Sequence, residues 1–597
     1  MNTKNLTCDV LVIGSGGAGI RAAIAAYETN QNLDIILATR GKLGKSGVTA
    51  TACSDRMAFH ATLKHTEPGG KNNWHHHAKD IYDIGGRVSS YALAKILAQN
   101  SADAYEYLDS LGVPFVKHNG KPHQFITDGS EYPRACYTGP YTANHIEAAL
   151  VKKVKRTGVK VIEDCFIADL IVENNIIRGA WCIDEKTGEL MGFNTSRIIL
   201  ATGGPGGVFG VNVYPDGMNG DGHGMALRAG AELVNMEFIQ IGLCSIKTKL
   251  ACSGSMMRAV PRIVDDRGVE FLHKYLSTDM LFNTVFRKGA SWPLSYEDEA
   301  KLVDIAVYRQ IQKGRKVFLE YSHNPRGFRF DLLDKKWQLR YESEVKHRGS
   351  VTTEERDRSP LSRLREINPE SVEWFRRRGI DLVKGDKIEI APAIQHFQGG
   401  VKIDIHGRTT VNGLYACGEC AGGQHGANRP GGNALLDTQV FGKIAGTHAA
   451  VSMRKVKTIT SKSVSSNIEQ FVQKFSNAYL SSRGVPADKV IKQVRELMSS
   501  TASVVRVKDD VIAGIAGLNK VMTAKIGNKT VKPGMIGFVS TVESVNILQT
   551  AQAVLNGIKT RNESRGPHLM FASPGDNIPV KRSKKYDNKW VILRRVV

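Results

Sequence analysis

Gly14, Gly16 and Gly19 form a G-x-G-x-x-G array directly after the apolar run Cys8–Ile13 and before an alanine-rich stretch. In that stretch Ile20, Ile24 and Tyr27 recur at helical spacing, so the array reads as a strand turning into a helix. Missing side chains at such a turn let the backbone approach a pyrophosphate at the helix N-terminus, which is the chemistry of dinucleotide binding. The next apolar run, Leu33–Ala38, ends in Thr39 and Arg40 with no Asp or Glu to hold a ribose, which argues against NAD and for FAD. Other reactive residue types are less productive. Cys417 and Cys420 form one C-G-E-C without the second pair a zinc site needs. The consecutive His75, His76 and His77 would point in different directions on a helix, and the cysteines are not grouped in fours as an iron-sulfur cluster requires.

The elements that position these residues follow from the same patterning. Arg197–Gly204 and Gly413–Glu419 are two further apolar strands ending at glycines, and with the first strand they are predicted to be parts of one sheet separated in sequence. Between them the composition changes, Lys335–Arg378 being dense in charge of both signs, as suits an inserted, largely exposed domain. From about Ser461 to Arg561 the pattern is helical, with Val545, Leu548, Ala551, Gln552 and Leu555 on one face. A basic tail closes the sequence. At 597 residues the chain exceeds what one core usually serves. The expected organisation is an FAD-binding domain in two parts (1–240 and 391–455), a capping domain (241–390), a helical domain (456–565) and the tail (566–597).

Lys plus Arg number 81 against 58 Asp plus Glu, a net charge of +23 that favours anionic substrates or surfaces. No nucleic-acid motif accompanies that charge, so nucleic acid is not an expected partner. No apolar run reaches the roughly 18 residues that cross a bilayer, and a strand begins too early to leave room for a signal peptide. The sequence therefore predicts a cytoplasmic protein with reduced cysteines, meeting a membrane only indirectly, at its inner face, through a partner.

The string H-G-A-N-R-P-G-G-N-A-L-L-D from His425 to Asp437, preceded by Gly418 and Glu419, resembles the signature of the succinate dehydrogenase and fumarate reductase flavoprotein subunits. G-D-G-H-G-M-A from Gly220, N-M-E from Asn235 and E-S-R-G-P-H from Glu563 resemble further landmarks of that family, which L-aspartate oxidase and adenylylsulfate reductase alpha subunits also resemble. The resemblance implies an α/β fold: a Rossmann-like FAD-binding domain, an inserted α+β capping domain and a C-terminal helical domain. It implies that Gly14, Gly16, Gly19, Thr39, Arg40, Ser46, Ala201, Gly203, Asp221, Glu419, Asn433 and Leu435 bind FAD, Glu419 through the ribose. It further implies hydride transfer between flavin N5 and a small anionic substrate held by Arg429, whose guanidinium matches a carboxylate fork, with electrons exchanged with an iron-sulfur subunit.

The sequence also departs from the family. Gly47 stands where members with covalent flavin have a histidine, so non-covalent FAD is expected. In a string resembling H-Y-x-x-G-G, Gln395 takes the histidine's place and His396 follows one residue later, either a catalytic candidate or a packed core histidine. Dicarboxylate members read Q-x-H-P-T-G where this chain has Gln240, Ile241, Gly242, Leu243 and Cys244, and Arg258 and Arg262 lie nearby as candidates for the missing anion contacts. Poor succinate oxidation and fumarate reduction are therefore expected. A stand-alone aspartate-oxidase-like enzyme, or a basic binding protein with structural FAD, are the alternatives.

Overall fold

In the computed structural model the described residues are 4–54, 57–127, 130–290, 293–345, 353–452, 461–481, 483–527 and 536–594. Four apolar residues, all buried, make strand β1 (Val10–Ile13). The chain turns at Gly14, whose φ of +105° a side chain would strain, and enters helix α1 (Gly17–Thr29). It returns as β2 (Ile35–Ala38), followed by the one-turn helix α2 (Val48–Thr51). Two later segments come back to the same place: β3 (Lys160–Ile162) and β4 (Ile198–Leu200). The capping region opens with β5 (Ile239–Ser245) and the short helix α3 (Ser255–Arg258), and closes with β6 (Ile388–Phe397). The chain then re-enters the first sheet as β7 (Leu414–Ala416) and runs into the long helix α4 (Asn433–Val451).

The central sheet has the order β7-β4-β1-β2-β3 with every neighbour parallel, so the three strands separated in sequence do belong to one sheet. A parallel sheet brings the carboxyl ends of its strands to one edge, where α/β folds bind their ligands. Helices α1 and α4 pack closely because α4 offers glycines: a Cβ on Gly446 would stand 2.1 Å from Ala22 O.

Strands β5 and β6 pair antiparallel from Ile239↔Phe397 to Ser245↔Ile390, so they run across the expected boundaries at 240/241 and 390/391. Val317–Glu320 and Arg262–Asp265 extend their sheet. Apolar residues between Leu243 and Ile390 make a core of their own, apart from the main core under the central sheet. The helical pattern after Ser461 is borne out by helices Ser461–Tyr479, Ala487–Thr501, Lys508–Thr523 and Ile536–Thr560. The basic tail is docked on the fold. Ile592–Leu593 pairs antiparallel with Leu233–Val234, Asp587 meets Arg565 at 2.8 Å, and Arg594 meets Glu232 at 2.6 Å.

Candidate active site

A cavity of about 1070 Å³ opens at the carboxyl edge of the central sheet and reaches the capping region. That is at the upper end for ligand pockets, which run to roughly 1,000 Å³. Gly14 and Gly16 line it at the N-terminus of α1. A Cβ on Gly14 would stand 2.4 Å from Ala201 O, so only glycine lets β1, β4 and the turn come together. Gly19 does not line the cavity: its missing side chain lets α1 sit on the turn, a Cβ there falling 1.8 Å from Gly14 O.

Thr39, Arg40, Ser46, Ala201, Gly203, Asp221, Glu419 and Leu435 all line the cavity. Ser15 Oγ donates to Thr39 Oγ1 at 2.9 Å, and Arg40 is held by Glu185 and Glu543. Glu419 is aimed inward from the turn after β7, its Oε1 accepting from Phe397 N at 2.9 Å and from the Tyr214 hydroxyl. Burial pushes the Glu419 carboxyl up to about 7, against the pull of these hydrogen bonds and of Arg429. Asp221 is likewise pushed up to about 7 by burial and by Glu543, and it accepts from Asn546 Nδ2 at 2.7 Å. Strand, glycine turn and helix N-terminus, with an inward carboxylate beyond, fit an FAD.

Arg429, also on the cavity lining, is buried among polar partners. Its Nη2 donates to Gln240 Oε1 at 3.0 Å and its Nη1 to Pro430 O at 3.2 Å, while Nε has no hydrogen-bond partner among the described residues. Burial brings its pKa down to about 10, with Glu419, Tyr214 and Asp437 pulling the other way, so it stays charged at neutral pH. A charged guanidinium on the lining of a cavity is a group that an anion can pair with.

Gln395 and His396 both line the cavity, although adjacent strand residues ordinarily face opposite sides. The register explains it. Gln240 pairs with His396 and Ile241 with Ile394, so Gln395 is the extra residue of a β-bulge, which re-aims side chains locally. The Gln395 amide occupies the space beside Gly242 and donates to Cys244 Sγ at 3.2 Å. His396 stacks edge-on against His425 at 5.8 Å, and burial, with Arg429 and His425 adding to it, holds its imidazole well below the ordinary range. It is both a cavity residue and a packed one.

Arg258 lines the cavity from the end of α3, but its guanidinium is engaged by Glu344 at 2.9 Å and by Gly289 O. Arg262 is a correction. The chain leaves α3 through Val260 at φ +47° and becomes a strand, so Arg262 does not share a face with Arg258. It pairs with Glu270 at 2.7 Å and Glu320 at 2.9 Å, outside the cavity. Asn433 is a second correction: it does not line the cavity but lies behind its wall, against His60 and His77. The C-G-E-C cysteines diverge, Cys417 Sγ towards Ala18 O and Cys420 Sγ to the Thr202 hydroxyl. Of the three adjacent histidines, His75 stacks on Trp74, His76 meets Tyr132 and His77 is buried.

Tyr214, which orients Glu419, and Thr127, which lines the cavity, carried no signal in the sequence. Each lies in an irregular segment outside any recognisable string.

A parallel sheet, a glycine turn at a helix N-terminus and a capping region closing over a charged cavity define an FAD-dependent oxidoreductase. The FAD binding domain family profile matches residues 9–435. A fumarate reductase (CoM/CoB) subunit from Methanothermobacter marburgensis is 30% identical over 598 residues, covering 98% of this chain and 97% of its own. The succinate dehydrogenase flavoprotein subunit of Rickettsia bellii is 27% identical, covering 95% of this chain and 91% of its own. Among solved structures, Mycobacterium smegmatis Sdh1 in complex with UQ1 aligns with a TM-score of 0.78 at 24% identity, covering 99% of this chain and 92% of that one. The chain belongs to the succinate dehydrogenase/fumarate reductase flavoprotein family, and its cofactor is FAD.

Proposed function

We propose that this chain is the catalytic flavoprotein subunit of an electron-transfer complex acting on a small carboxylate-bearing substrate, its redox partner being an iron-sulfur protein. Bound FAD would supply the two-electron acceptor and donor. The observation that carries the reading is Arg429, a buried and charged guanidinium on the lining of the cavity that the glycine turn also lines. Arg429 would hold the substrate carboxylate. Gln240 fixes the guanidinium, and Gln395 lines the same cavity with a neutral amide. The capping residues Arg258 and Pro293 help keep water out.

The relatives' own names, each that of one subunit of an enzyme, support a chain that works with others, and their substrates make fumarate and succinate the first compounds to try. Among the described residues no helix is long and apolar enough to cross a membrane, so any membrane contact would run through a partner. The test is anaerobic mixing of dithionite-reduced, FAD-loaded protein with fumarate, and of oxidised protein with succinate, followed by a wider panel of carboxylates. A colour change that saturates with one carboxylate supports the reading. No response to any of them, with FAD bound, overturns it.

A further inference from the structure

From Gly566 onward the tail joins the capping region to the FAD-binding region along one seam. On the capping side, Tyr296 N donates to Gly566 O at 2.7 Å, and Glu297 Oε2 accepts from Gly566 N at 3.0 Å. Arg309 Nη2 donates to Asp576 O at 2.6 Å and its Nη1 to Pro574 O, while Arg582 stands 3.7 Å from Glu297. On the other side, Arg565 pairs with Glu563 at 2.7 Å, both fully buried, and donates to Gly86 O. Val591 N donates to Asn235 Oδ1 at 3.2 Å, just before the pairing of Ile592–Leu593 with Leu233–Val234.

The seam reaches the cavity from both sides. Pro293 lines the cavity three residues before Tyr296. Gly566 lies against Ala427, two residues before Arg429: a Cβ on Gly566 would meet the Ala427 Cβ at 3.2 Å. Helix Lys301–Gln312 turns Val303, Ala306 and Val307 to the capping core and Ile305 and Tyr308 to the main core. Arg309 follows Ile305 by one turn, on the face towards the main body. Any swing of the capping region away from the flavin-signature turn must therefore break the Gly566 and Arg309 bonds together.

We propose that the tail is a latch that holds the capping region shut over the cavity. It rests on FAD occupying that cavity and not on the substrate proposed above. The two grips of the tail differ in strength for a physical reason. Pulling Arg565 from Glu563 would strand charges in a dry setting, which is costly. The Arg582 and Glu297 side chains are 29% and 41% exposed, so water replaces their bonds as the seam parts. Local opening follows the weaker contacts, so the tail stays on the FAD-binding region and the capping region swings. FAD enters and leaves while the seam is open. The charge-assisted bonds from Arg309 to two carbonyls are the strongest polar contacts on the capping side, and they set how rarely it opens.

The experiment compares wild type with Arg309→Ala, a partly exposed position outside both apolar cores. FAD release is timed by separating free from bound flavin after dilution, and uptake by mixing apoprotein with FAD. Both rates should rise about tenfold, the worth of a hydrogen bond to a charged group. The dissociation constant should stay nearly constant, because the latch favours closed over open with or without FAD. Hydrogen exchange at the Tyr296 amide, which Arg309 does not touch, should quicken as well, since the seam opens as a unit. Unchanged release and uptake overturn the latch. So does faster release without faster uptake, which would mean damaged FAD contacts, and so does Tyr296 exchange at the wild-type rate. If Arg309→Ala does not fold, Glu297→Gln, which removes the charge facing Arg582 and Gly566 N, is read in the same way, with a smaller rise in both rates expected and no rise overturning the proposal.

Discussion

The side-chain amide of Gln395 donates to Cys244 Sγ at 3.2 Å across space that Gly242 leaves open. Three positions are thereby coupled: the two at which the family string resembling Q-x-H-P-T-G would place a histidine and a threonine, and one at which a second histidine is expected. Burial pushes the Cys244 thiol up to about 12, so this wall stays neutral through the ordinary pH range. The positive charge on the cavity lining near this strand is Arg429, which bonds to Gln240.

Gly242→Ala tests that coupling. A Cβ at position 242 would fall 2.5 Å from Gln395 Nε2 and 2.9 Å from Pro293 Cβ, so both must move. Overpacking of this kind costs about 1–3 kcal/mol. Thermal unfolding should show a lowered Tm, and pairing the change with Gln395→Ala should recover most of the loss. An unchanged Tm in the single variant refutes the packing account.

Arg429→Lys keeps the charge but loses the planar fork and the bond to Gln240. Each charge-assisted hydrogen bond is worth about 1.5–3 kcal/mol, so losing two lowers turnover by roughly 10²-fold or more. FAD should remain bound, because the glycine turn and Glu419 are untouched. Parental turnover with the same carboxylate in the lysine variant would remove Arg429 from the site.

FAD should dissociate on acid precipitation. Gly47 lines the cavity at φ +88° with no nucleophilic side chain, where covalent members of the family have a histidine. Flavin absorbance is expected in the supernatant, and yellow colour retained in the washed pellet decides against it.

Local patterning made much of this architecture legible. The strand-turn-helix around Gly14 depends on neighbours in sequence, and the runs ending at Leu200 and Ala416 are apolar because both faces of a parallel strand are buried. Features that depend on distant partners were not legible. The bulge that brings Gln395 to the cavity is defined by its register against β5. Arg262 is silenced by Glu270 and Glu320, which come from outside its own strand. Asn433 sits in the most recognisable string of the chain, yet Gly432 at φ +101° starts α4 so that its side chain faces His60. The tail reads only as basic in the sequence, whereas its last strand pairs with Leu233–Val234, which no periodicity could announce.

Glu147 gives the last prediction. It lies on helix Thr142–Val154, only 1% exposed, and neither carboxyl oxygen has a hydrogen-bond partner among the described residues. Burial alone pushes its pKa from 4.5 up to about 8. The folded state therefore holds a proton that the unfolded chain gives up between pH 4.5 and about 8. By linkage, the stability from burying the neutral acid is fully present below the unfolded pKa and is lost as pH rises through the folded one. A tenfold change in proton affinity corresponds to about 1.4 kcal/mol, so the loss across this window amounts to a few kcal/mol. Glu147→Gln keeps the shape and cannot ionise. Its Tm should match or fall below wild type near pH 5 and exceed it near pH 9, the gap widening between those values. Parallel Tm profiles for the two proteins would show that Glu147 does not titrate in this window.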